Sequence, residues 1–187
     1  FTALPSMQYW GNFYQEEPLE AEDDLKDTIK TMVGELLSCG VNLSIAPVLD
    51  LDHGVSDVIS DRSFSNDPEV VSELGNIFVE TMRAMGMKSV AKHFPGHGGV
   101  KHDTHHEVAV DERSRKEVWS CDLLPFKRLA SAYDSLMPAH IIYPQIKDEV
   151  DTFSQYWLQE VLRKELKFDG VIISDDLTMF AASQLGD

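Results

Sequence analysis

Alternation constrains this chain more than any other feature. Short apolar runs are followed repeatedly by longer stretches whose apolar residues recur at helical spacing. Residues 41–51 (VNLSIAPVLDL), 87–94, 135–142 and 170–174 read as buried strands, since near-continuous aliphatic runs suit strands covered on both faces. Residues 24–39 carry Leu25, Ile29, Met32, Val33, Leu36 and Leu37 on one helical face, with Gly40 as the stop. Asp67-Pro68-Glu69 signals the start of a second helix, with a stripe of Val70, Val71, Leu74, Ile77, Phe78, Met82 and Met85. A third helix spans about 112–132, kinked or split by Pro125, and Ser154 caps a fourth with Trp157, Leu158, Val161, Leu162 and Leu166. From Leu177 the chain turns helical again. The first twenty residues, punctuated by Pro5, Gly11 and Pro18, read as irregular around Tyr9, Trp10, Phe13 and Tyr14. Four strand-then-helix units predict an α/β fold with a parallel sheet, because a parallel pair needs a crossover that a helix supplies.

Composition closes off other classes. At 187 residues, 43% hydrophobic and 26% charged, the chain suits one folded domain and excludes collagen-like, low-complexity and disordered proteins. No run reaches the roughly 20 apolar residues of a membrane span. Sixteen basic against 32 acidic side chains leave a net charge of -16, which repels phosphate backbones and anionic lipid, so neither nucleic acid nor a membrane is expected as partner. Two cysteines, Cys39 and Cys121, are too few for a disulfide scaffold and fit a reducing compartment. The chain opens on Phe1 and stops at Asp187, as a processed or truncated piece does, so the lack of a signal peptide says little about export.

Polar residues gather just past each strand: Asp50 and Asp52, Lys92 and His93, His140, then Asp175 and Asp176. In parallel α/β folds, ligands bind at that end of the sheet. The densest cluster is KHFPGHG (92–98) followed by HDTHHE (102–107), and five of the seven histidines lie between 93 and 106. Such a cluster transfers protons or binds metal. Asp103 and His105, two apart, read as a carboxylate-oriented acid/base pair, whereas His102 and His106 read as solvated. Of the two aspartates after the last strand, only one can face the strand-end pocket. Asp175 reads as nucleophile, general base or metal ligand, and Asp176 as a helix N-cap. Arg62, in ISDRSF (59–64), reads on its own as a surface ion pair.

Taken together, APVLDLD (46–52), SDRSF (60–64), GMKSVAKHFPGHGGV (86–100), DTHHE (103–107), DLLPFKRL (122–129), LMPAHIIYP (136–144) and SQYWLQEVLRKELKFDGVIISDDLTM (154–179) resemble the bacterial β-N-acetylglucosaminidases of glycoside hydrolase family 3. The resemblance implies a (β/α)8 TIM-type barrel and a retaining, two-step mechanism. It makes Asp175 the nucleophile, His105 held by Asp103 the acid/base dyad, and Lys92, His93 and Arg62 sugar-binding residues. It implies a cytoplasmic role in cell-wall recycling, a muropeptide as substrate, and neither cofactor nor metal. Such a barrel takes about 250 residues, so residues 1–187 are expected to be one catalytic-barrel fragment of about four β/α units, lacking its first and last strands. Such a piece is expected to be inactive alone or to need a partner copy or the missing segments to cover its edges, and self-association through those edges is expected with it. Three rivals stand beside this reading. A metal-dependent hydrolase would use His93, His97, His102, His105 and His106 with Asp103, although no H-E-x-x-H or paired-cysteine motif is present. A non-catalytic carbohydrate-binding module would use the aromatics at 9–14. Substrate-assisted hydrolysis would use the Asp175-Asp176 pair.

Overall fold

The computed structural model describes residues 1–101 and 109–178. Two helices open the chain, which corrects the expectation of an irregular N-terminus. Helix α1 (Met7–Glu16) is capped by Ser6, whose hydroxyl accepts the Tyr9 amide at 3.3 Å. The aromatic stretch has helical spacing: Trp10 is buried, while Met7, Phe13 and Tyr14 pack against the core. Gly11 is a close-packing residue, since a Cβ there would overlap the Phe64 carbonyl oxygen. Pro18 begins α2 (Pro18–Ser38) instead of breaking the chain, because the first helical turn has no use for the missing N–H. Ala21, Leu25, Ile29 and Val33, four apart, form the buried face of α2.

The alternation then unfolds much as the periodicity predicts. Strand β1 (Leu43–Ser44) precedes α3 (Pro68–Ala84), where the Asp67 side chain accepts the Glu69 amide at 2.9 Å. Strand β2 (Lys88–Phe94) is followed by β3 (Ala109–Val110), α4 (Arg115–Ser120) and α5 (Leu123–Arg128). The expected split of the third helix falls at Cys121 and Asp122, and Pro125 sits in the first turn of α5, where it costs no helical hydrogen bond. Strands β4 (Ser135–Pro138), β5 (Ile141–Tyr143) and β6 (Lys147–Val150) come next. Then α6 (Tyr156–Glu165) is wound with π-type bonding, and β7 (Val171–Ile172) follows. The Ser154 hydroxyl accepts the Trp157 amide at 3.4 Å, as its reading as a cap requires.

Strands β1, β2, β4 and β7 form one sheet in that order, every pair parallel. Among the described residues it is an open sheet of four strands, with no pairing of β1 to β7. Helices α3 and α5 pack on β2, and α2 packs on α3. One core cluster runs from Leu25 and Ile29 through Val79, Ala91 and Leu136 to Phe126 and Trp157.

The reading of 135–142 as a single strand is overturned. β4 belongs to the large sheet, whereas β5 joins β3 and β6 in a second, three-stranded one. The break is enforced by Asp151. Its fully buried carboxylate accepts the amides of Ala139 at 3.2 Å and Ile141 at 3.0 Å, on either side of His140. His140 itself has φ 61, a left-handed value no strand residue adopts.

Candidate active site

The site is built on the end of β2. The pairing of β2 with β4 shifts register between Lys92 and Phe94, which leaves His93 out of the ladder. Asp50, in the segment after β1, lies beneath it and is fully buried. Its carboxylate accepts Nδ1–H of His93 at 2.6 Å, the His93 amide at 3.2 Å and the His97 amide at 2.7 Å. Burial pushes the Asp50 carboxyl up, but the His93 charge and these bonds outweigh it, and the net shift is downward. A buried carboxylate is tolerated only with such partners. The loop that follows is pressed against the same segment, for a Cβ at Gly98 would overlap the Leu51 carbonyl oxygen. Burial also lowers the His97 imidazole, whose Nδ1 has no partner among the described residues.

Arg62 lies on a single 3-10 turn, Ser60–Arg62, and its Nη1 donates to the Val58 carbonyl at 3.2 Å. It is half-buried rather than a surface residue, and it shares with Lys92 the wall of a cavity of about 350 Å³. The Lys92 ammonium is lowered first by burial and then by the Arg62 guanidinium, while Asp175 and Asp50 work the other way. Two cations and two carboxylates therefore act on one another at this end of the sheet.

Asp175 arrives from β7. Leu136 pairs with Ile172, and the Ile173 amide donates to the Leu136 carbonyl at 2.9 Å. Two residues further on, Asp175 stands just past the strand, half-buried, its Oδ1 accepting the Asp176 amide at 2.8 Å. Asp176 is exposed and its Oδ1 accepts both the amide and the hydroxyl of Thr178 at 2.8 Å, the bonding of a capping residue. Arg62, Lys92, His93 and Asp175 thus come to the carboxyl ends of one parallel sheet. Asp103 and His105 lie outside the described residues.

A second polar cluster had no local signal in the sequence. Arg113 donates to Asp111 through Nε (2.9 Å) and Nη2 (2.6 Å), and to Asp122 through Nη1 (2.7 Å) and Nη2 (3.1 Å), while His53 Nε2 donates to Asp122 Oδ1 at 2.9 Å. Asp111 and Arg113 are neighbours in sequence, but His53 and Asp122 come from two other stretches of chain, so no spacing rule could have joined the whole cluster. Among the described residues no three His, Cys, Asp or Glu side chains converge as a metal site. Of the aromatics at 9–14, Trp10 is 4% exposed and Tyr9 50%, and their ring planes lie 82° apart, so these two present no shared flat face.

The glycosyl hydrolase family 3 N-terminal domain matches residues 1–187. The chain belongs to this family. Among relatives of this family 3 chain, a beta-hexosaminidase of Hydrogenovibrio crunogenus is 48% identical over 188 residues, covering 100% of this chain and 53% of the relative. Native NagZ from Neisseria gonorrhoeae superposes with a TM-score of 0.92 at 41% identity, over 96% of this chain and 53% of that one. The complex of the same NagZ with N-trifluoroacetyl-D-glucosamine superposes at 0.91, with the same identity and coverage. The family 3 chain therefore spans about half the length of the curated relatives it matches.

Proposed function

We propose that this protein is a retaining β-N-acetylglucosaminidase that removes terminal β-linked N-acetylglucosamine from peptidoglycan-derived anhydromuropeptides in the cytoplasm. The reading is carried by the meeting of Asp175 with Lys92, Arg62 and the Asp50-held His93 at the carboxyl end of the parallel sheet. It is supported by family membership and by the glucosamine derivative bound to the related NagZ.

In this scheme Lys92, Arg62 and His93 hold the sugar. An Asp175 oxygen attacks the anomeric carbon, the bond to the leaving oxygen breaks, and His105 gives that oxygen a proton. In the second step His105, its charge supported by Asp103, takes a proton from water. The water oxygen bonds the anomeric carbon and Asp175 departs. Retaining glycosidases commonly use two carboxylates. A histidine in place of one repels the nucleophile less and still passes a proton at neutral pH.

The test uses the intact protein. A fluorinated N-acetylglucosamine analogue should leave a covalent sugar on the peptide containing Asp175, and EDTA should not alter turnover. Asp175→Asn should lower kcat by about three orders of magnitude or more, because no other group can supply the covalent step. His105→Ala should cost least with acidic aryl leaving groups, which depart with little protonation. Equal losses across leaving groups, or a label on another residue, would defeat the assignment.

A further inference from the structure

The cluster around Arg113 takes no part in the scheme above, yet it touches the chain on both sides of the acid/base pair. Asp103 and His105 lie between Val100 and Ala109, and both of those flanking residues are buried. On the entering side, the Tyr143 hydroxyl donates to the Gly96 carbonyl at 2.6 Å, and Asp50 holds the His97 amide at 2.7 Å. A Cβ at Gly96 would collide with the Asp122 side chain, and one at Gly99 would overlap the Arg113 guanidinium. On the returning side, Ala109 and Val110 pair with Ile141 and Ile142 of β5. The Asp111 amide then donates to the Ile142 carbonyl at 2.9 Å.

Arg113 joins the two sides. Its Nε and Nη2 donate to Asp111, its Nη1 and Nη2 donate to Asp122, and both carboxylates are buried. The same guanidinium packs against Gly99, where any side chain would displace it. Positions 99 and 113 therefore meet at one group. Burying two carboxylates around one cation is an expensive way to hold a chain together. What the guanidinium adds over an apolar contact is direction, since its planar donors fix both carboxylates in a single geometry.

We infer that Arg113 is a positioning residue for acid/base catalysis: by clasping Gly99 to Asp111 and Asp122, it fixes where the stretch bearing His105 leaves the fold and where it returns. This rests on the reading of His105 as acid and base. A general acid works only within hydrogen-bond reach of the oxygen it protonates. Misplacing such a group by about 1 Å can cost about a hundredfold in rate.

The experiment compares kcat/KM across leaving groups with the rate of covalent labelling at Asp175, both in the intact protein. Arg113→Lys keeps the positive charge but cannot bond both carboxylates as a fork. With poorly acidic leaving groups its kcat/KM should fall about a hundredfold. With strongly acidic aryl leaving groups, which need little protonation, it should stay within about threefold of the parent. Labelling by a fluorinated sugar whose leaving group is fluoride should keep the parent rate for the same reason. Those two preserved reactions need Asp175 and the sugar-binding residues in place, which a general loosening of the fold would not leave. Gly99→Ala keeps every charged group of the cluster and pushes the guanidinium off the chain. It should show the same pattern with a loss of about tenfold, and it decides the matter if Arg113→Lys does not fold. Parent kcat/KM with poorly acidic leaving groups, equal losses across all leaving groups, or labelling slowed in step with turnover would each overturn the inference while His105→Ala still shows its leaving-group dependence. A flat profile in His105→Ala itself would remove the acid role of His105 and this inference together.

Discussion

Asp50 and Asp151 are both fully buried carboxylates, and their surroundings push them in opposite directions. Burial raises each, but Asp50 faces the His93 ring and ends below its ordinary value, whereas Asp151 faces mainly backbone amides and is pushed up to about 7. A proton on native Asp151 that the unfolded chain lacks makes its contribution to stability fullest near the ordinary 3.8, and that contribution is lost as pH rises through about 7. Asp50 contributes above its ordinary range and loses that contribution on acidification. Urea unfolding at pH 5.5 and 8 should therefore show a loss toward the higher pH that Asp151→Asn flattens. The same slope in the variant would reject the assignment. At this scale the sequence was partly legible. Strand-end placement drew attention to Asp50, Lys92, His93, His140 and Asp175. The bonding of Asp50 to His93, 43 residues apart, and of Arg113 to Asp122 has no signature in spacing.

Helices with a strong apolar period and a capping residue were the most legible elements. For α3 the Asp-Pro-Glu start and the Val71, Leu74, Phe78 and Met82 face match the buried face of the folded helix. Helix α1 was not read, because Gly11 and Pro18 look like punctuation when they serve close packing and a helix start. Gly11→Ala tests that role. The added methyl meets the Phe64 backbone, which cannot step aside, and unfolding free energy should fall by about 3 kcal/mol. On α4, Ser114 and Glu117 form a reciprocal capping box, and Ser114→Ala should cost about 1 kcal/mol by the same measurement. A Gly11→Ala loss no larger than that of Ser114→Ala would mean that α1 docks loosely. The second sheet was invisible for a different reason. β3, β5 and β6 are two to four residues long, and β3 pairs with the distant β5, so they carry too little periodicity to be told from loop.

Over the whole molecule, the net charge of -16 sets a repulsion that every fold of this chain must carry. Raising ionic strength from about 10 mM to about 0.15 M shortens the screening length from about 30 to about 8 Å. The melting temperature should rise across that range, and a fall would mean that ion pairs such as Arg113 with Asp111 outweigh the repulsion. The outer strands of the four-stranded sheet keep apolar residues in the open, with Leu43 at 37% and Val171 at 61% exposure. By itself, the sequence determined what local physics can encode: the α/β alternation, the parallel sheet, most helix starts, and the rule that chemistry collects at strand ends. Tertiary structure alone decided which of those ends face one another. It decided that Asp50 would lie buried beneath His93, that Arg62 would share a wall with Lys92, and that Asp151 would hold the turn at His140. Those outcomes depend on register and on burial shared between segments far apart in the chain, and neither has a local period to be read.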